Sequence, residues 1–137
     1  MTAKEYLSQA YKLDCEIRVR QAEIEAMRAA LYGKGTKYDS IGGQPADNSL
    51  EKAICRVIDR ERALNREIST LISKKEEIAT VIRKVSNARL RELLIRRYLS
   101  FERWDRIAYC LAIDTRYAFK LHDKALDEVK KIIRNFK

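Results

Sequence analysis

One proline, four glycines, one histidine and three cysteines are all that this 137-residue chain holds of those types. Each shortage excludes something. Few helix breakers among many strong helix formers point to an all-α protein. Cys15, Cys55 and Cys110 are odd in number and lack CxxC spacing, so neither a disulfide framework nor a zinc site is expected. They read as small reduced side chains in or near a core. With His122 alone and no clustered carboxylates, general acid–base catalysis and metal binding have no foothold. The chain is not expected to be an enzyme, and no cofactor or metal is expected. No apolar run approaches the ~20 residues that span a bilayer. The first residues turn charged at once and lack the apolar core of a secretion signal. The expectation is a soluble protein of the cytoplasm.

Charge is plentiful and unevenly placed. Lys and Arg number 29 against 20 Asp and Glu, a formal net charge of +9. Residues 84–137 carry 14 of those cations against 7 acids, so most of the excess lies in the last part of the chain. A basic module joined to a nearly balanced one is the charge footprint of a nucleic-acid binder.

Residues 2–32 contain no Gly or Pro and read as one long helix. Its apolar stripe runs Tyr6, Ala10, Leu13, Ile17, Ile24, Met27, Leu31, interrupted by Arg20. Gly33 is placed to end it. All the glycines and the proline fall within residues 33–48, which read as a loop with a short turn around 38–41. Its Gly-Lys-Gly-Thr run lacks the upstream glycine and the following Ser or Thr of a phosphate-binding loop, and that reading is rejected. Asp47, Asn48 or Ser49 caps a second long helix reaching about residue 85. Its stripe also keeps heptad spacing from Leu50 to Val85, interrupted by Glu61. An antiparallel pairing that sets Arg20 opposite Glu61 also sets Tyr6 opposite Lys75 and matches apolar positions elsewhere. The fold expected is a long antiparallel coiled-coil helical hairpin over residues 1–85, followed by a small helix-turn-helix domain over 86–137. The Arg20–Glu61 pair would penalise slipped registers. Leu7, Val19, Ile58, Ile72 and Ala79 widen the stripe beyond one seam. A second copy of the hairpin or the C-terminal helices is expected to cover them.

Ser86 and Asn87 mark a break and a new cap. A helix over 88–99 comes next, with Leu90, Leu93, Leu94 and Tyr98 inward and Arg91, Arg96 and Arg97 outward. Arg96 and Arg97 can pair with Glu92 or Glu102. The stretch 104–126, WDRIAYCLAIDTRYAFKLHDKAL, reads as helix, turn, helix. Ile107, Ala108 and Leu111 face inward on the first helix, and Ala118 and Leu121 on the second. Residues 112–114 make the turn, and small Ala108 and Ala118 permit a close crossing. The second helix continues to about Asn135. Trp104 is read as core rather than contact, and His122 as structural.

Outward from the second helix point Thr115, Arg116, Tyr117, Phe119, Lys120, Asp123 and Lys124, a mixture suited to phosphates and base edges. Arg116, Lys120 and Lys124 are candidate base or phosphate contacts, with Arg103 and Arg106 as phosphate contacts from the first helix. Thr115 is a phosphate contact, a helix cap or both. Tyr117 and Phe119 suit sugars or a thymine methyl, or equally burial against the long hairpin, and burial of one of the two is the expectation.

Residues 89–126 resemble region four of bacterial sigma factors and, more closely, phage late-gene transcription regulators of the ArpU/RinA type. Leu93, Leu94, Arg97 and Tyr98 resemble the helix that precedes that family's motif. Trp104, Ile107, Ala108 and Leu111 resemble its W-x-x-I-A-x-x-L helix, and Leu121, His122, Lys124, Ala125 and Leu126 its I-H-x-K-A-L exit. The chain departs from the family at Ala112, where glycine is common, at Ala118, where Val or Ile is usual, and at Tyr117 and Phe119, where polar or basic residues are frequent. The resemblance implies a sequence-specific double-stranded DNA-binding regulator at promoters, encoded by a phage or prophage and acting in a bacterial host. Its expected partners are duplex DNA, RNA polymerase and a second copy of itself, a dimer being favoured. The alternatives are a small terminase-like or architectural DNA-binding subunit, and a helical adaptor that binds no DNA.

Overall fold

In the computed structural model, residues 1–32 and 49–136 are described. The chain is all-α, with no strand among the described residues. Helix α1 spans Ala3–Tyr32 and α2 spans Ser49–Arg83. Helix α3, Ala88–Leu94, runs on into a π-helical turn, Ile95–Leu99. Helix α4 spans Trp104–Leu111 and α5 Thr115–Asn135. The loop expected over 33–48, its turn around 38–41 and the caps Gly33, Asp47 and Asn48 lie outside the described residues.

The chain forms two compact units, residues 15–72 and residues 1–14 with 73–137. This departs from the expected division at residue 85. Leu7 and Ala10 of α1, and Ile78, Val81 and Ile82 of α2, share one buried cluster with Leu90, Leu93, Leu94, Ile107, Leu121, Ala125 and Val129. Helices as short as α3 and α4 bury too little apolar surface alone, and the start of α1 and the end of α2 supply the rest. Leu7 and Ala79 of the widened stripe are thereby buried, whereas Val19, Ile58 and Ile72 of the other unit stay 66%, 40% and 44% exposed.

In unit 15–72, α1 and α2 pair antiparallel, with Ile17, Ile24, Leu31, Leu64, Ile68 and Leu71 buried. The expected Arg20–Glu61 pair does not form. Glu61 meets Arg28 at 2.6 Å, and Arg20 lies 3.5 Å from Glu67. Arg60 meets Glu23 at 3.2 Å. In the other unit Lys75, expected against Tyr6, meets Asp14 at 2.9 Å. The pairing is therefore displaced by about one heptad. Such a slip returns apolar residues to apolar positions, so the seam alone does not distinguish the two registers. The flanking charges do, because the observed register gives Arg28, Glu61, Asp14 and Lys75 each an opposite charge. The Arg28 hydrogen bond holds the Glu61 carboxyl below the usual carboxylate range. Arg20 lies along α1, its Nη1 donating to the Glu16 carbonyl at 3.0 Å.

Asn87 caps α3, its side chain accepting from the Arg89 and Leu90 amides at 2.9 and 3.1 Å. The π turn is closed by the Ser100 amide donating to the Ile95 carbonyl at 2.9 Å. Arg91, before this turn, and Arg96 and Arg97, within it, are half-buried rather than outward as expected. Arg91 donates to the Val85 carbonyl at 2.8 Å, Arg96 pairs with Glu92 and Glu102 at 3.2 and 3.3 Å, and Arg97 donates to the Glu102 carbonyl at 3.0 Å. Phe101 leaves the turn with a left-handed φ of 58°. The three cysteines are free, and Cys55 and Cys110 lie on the surface rather than near a core.

Candidate nucleic-acid interface

Helices α4 and α5 are joined by three residues, 112–114. Ala112 adopts the left-handed conformation, φ 57° and ψ 44°, that glycine adopts without strain. The turn closes as the Ile113 amide donates to the Ala108 carbonyl at 3.0 Å. Asp114, not Thr115, caps α5, its carboxylate accepting from the Tyr117 amide at 2.7 Å. Ala108 and Ala118 are 3% and 0% exposed, as a close helix crossing requires.

Helix α5 buries Ala118, Leu121, His122, Ala125 and Val129. That stripe fixes which residues face out. Thr115, Arg116, Tyr117, Lys120 and Lys124 are all exposed, as are Arg103 and Arg106 of the α4 start. Arg116, Lys120 and Lys124 succeed one another at four-residue steps, so they rise along one side of the helix. Among the described residues none of these three side chains makes a hydrogen bond or an ion pair. Arg106 pairs with Glu102 at 3.3 Å, and Arg103, which precedes α4, lies 3.9 Å from Asp105. Neither Tyr117 nor Phe119 is buried; they are 42% and 46% exposed. Phe119 stands edge-on to the half-buried Trp104 at 5.1 Å.

Sequence reasoning missed Arg89. Its guanidinium lies 5.7 Å from the centre of the Tyr117 ring, and its Nη2 is 3.5 Å from the Leu111 carbonyl. It therefore borders the same face from a different helix, and local pattern gives no signal of that. Tyr109, on α4, is 84% exposed and was missed as well. Its exposure could have been found from the α4 period alone, since Ile107, Ala108 and Leu111 take the inner face.

Beneath this face His122 is buried against Tyr98, with its Nε2 and the Tyr98 hydroxyl 2.6 Å apart, and Trp104 meets its ring edge-on at 4.7 Å. Burial pushes the imidazole pKa down to about 4, so it is neutral at physiological pH. Among the described residues no three His, Cys, Asp or Glu side chains gather as a metal site would need. No helix there is long and apolar enough to cross a membrane. No protein-family model, no curated protein and no solved structure matches the chain.

Proposed function

We propose that the chain is a sequence-specific double-stranded DNA-binding transcription regulator, encoded by a phage or prophage and acting at promoters in the bacterial cytoplasm. In this reading α4 and α5 work as a helix-turn-helix, with the first turns of α5 in the major groove. The observation that carries it is the row Arg116, Lys120 and Lys124, exposed and without ion-pair partners, on a helix whose other side is anchored by five buried residues. Cations already committed to carboxylates would have to break those pairs before meeting phosphate, and these have none to break. Arg103 and Arg106 supply further phosphate contacts from the start of α4, Arg106 by exchanging its Glu102 partner for phosphate. Tyr117, steadied by Arg89, offers a ring edge and hydroxyl at the border of the face.

Unit 15–72 then serves as the arm through which two copies associate. Ile58 and Ile72, two heptads apart on α2, support this, since both are left open on one stripe. RNA polymerase is the expected protein partner at the promoter.

Selection of bound fragments from a random duplex library, with wild type and Arg116→Ala in parallel, tests the reading. Wild type is expected to enrich one sequence motif and the variant to lose it. About five phosphate contacts predict a log–log salt slope near −4 to −5. A slope near zero, or no enriched sequence, would overturn the proposal and favour an adaptor that binds protein alone.

A further inference from the structure

Arg97 lines two open grooves at once. One, of about 430 Å³, is bordered by Ser8, Tyr11, Lys12 and Phe101. The other, of about 450 Å³, is bordered by Arg103, Trp104 and Asp105. Both belong to the unit formed by residues 1–14 and 73–137. The two adjoin at Arg97, and the borders of this trough carry three cations and one carboxylate.

Those cations are not fully engaged. Lys12 is exposed, and its side chain makes no hydrogen bond or ion pair among the described residues. The Arg103 side chain is 89% exposed, and its one carboxylate neighbour, Asp105, is 3.9 Å away. Arg97 donates from Nη1 to the Glu102 carbonyl and rests on Trp104 with its guanidinium carbon 4.9 Å from the ring centre. Its remaining N–H groups are available. The floor is apolar, with Tyr11 and Phe101 in edge contact at 5.3 Å.

The form of the trough selects among anionic occupants. A duplex backbone presents phosphates but no apolar group to cover Tyr11 and Phe101. A single strand would need free ring faces for its bases, but Trp104 is covered by Arg97, and Phe101 is met by Tyr11 and by Lys75 at 5.6 Å. Carboxylates set around an aliphatic or aromatic side chain match both the rim and the floor. We propose that this trough docks an acidic peptide segment of a partner protein. Its apolar anchor sits on Tyr11 and Phe101, and its carboxylates meet Lys12, Arg97 and Arg103. The surface lies apart from the α5 row, shares only Arg103 with the proposed DNA contacts, and does not rest on the DNA-binding reading.

The test is selection of random peptides displayed on phage against the full chain, with Lys12→Glu in parallel. Wild type is expected to enrich sequences that place Asp or Glu around Leu, Ile or Phe. A synthetic peptide of the enriched sequence should bind Lys12→Glu on the order of tenfold more weakly or worse. Because Lys12 is exposed, the variant should melt as wild type does, which circular dichroism checks. Arg116→Ala should bind the peptide normally, so the two proposals fail separately. No enrichment, enrichment without acidic bias, or affinity unchanged in Lys12→Glu would overturn the proposal. So would Lys12-dependent retention of single-stranded DNA in place of peptide.

Discussion

The Tyr98 hydroxyl and the Nε2 of His122 lie 2.6 Å apart in a core that leaves each residue 7% exposed. The pair ties the π turn to α5. It also makes the fold sensitive to acid. Above about pH 6.5 the imidazole is neutral in both folded and unfolded chains. As pH falls, the unfolded chain takes up the proton near its ordinary value, while burial delays protonation of the folded chain to about 4. Stability is therefore whole above about 6.5 and declines between there and about 4, by on the order of 2–3 kcal/mol. His122→Gln keeps a polar partner for Tyr98 without titrating. Urea unfolding across this pH range should show a slope for wild type that is flattened in the variant. An equal slope in both would assign the acid sensitivity elsewhere.

Ala112 holds a left-handed conformation at the α4–α5 turn. A Cβ in that region costs roughly 1 kcal/mol relative to glycine. Ala112→Gly should stabilise the protein by about that amount, and Ala112→Val should destabilise it. Denaturant midpoints measure both, and a destabilised glycine variant would mean that the strain is absent.

Leu7 is fully buried among residues from α2, α3 and α5. Leu7→Ala should cost about 2–5 kcal/mol, as a buried leucine does. The loss should appear in the cooperative unfolding of the C-terminal helices, read from the near-ultraviolet signal of Trp104. If that signal melts unchanged, the first helix does not belong to this core.

Arg28 and Glu61 should couple in a double-mutant cycle, weakly, as befits a pair at the surface, and less so as salt is added. Arg20 and Glu61 should show no coupling. The reverse result would restore the register read from the sequence.

The parts of this fold legible in the sequence are those written in local pattern. The two long helices follow from the lack of breakers, the cap at Asn87 from its side chain, and the inner faces of α4 and α5 from Ile107, Ala108, Ala118 and Leu121. The exposure of Arg116, Lys120 and Lys124 comes from the same helical period. What local pattern cannot encode is choice among equivalent distant partners. The heptad seam accepts Glu61 opposite either of two positions on α1. The π turn is invisible because Ile95 to Leu99 is an ordinary helical sequence, so the half-burial of Arg96 and Arg97 within it was missed. Arg89 comes beside Tyr117 only through the packing of α3 on α5. Leu7 and Ala10 resemble the rest of their stripe, and nothing in their spacing says that they roof a different core from Ile17 and Ile24.

The sharing of one core by Leu7, Ala10 and Val129 also governs the order in which this protein can be made. During synthesis, the first turns of α1 emerge from the ribosome more than a hundred residues before Val129 of α5, with which they share this core. Its first turns therefore wait with their leucine unsheltered, while the remainder of α1 can already pair with α2. Helix α5 completes the core that the first turns of α1 begin. A fragment starting at residue 86 would carry Leu93, Leu94 and Ile107 without the side chains that cover them, and its natural fate would be aggregation rather than independent folding.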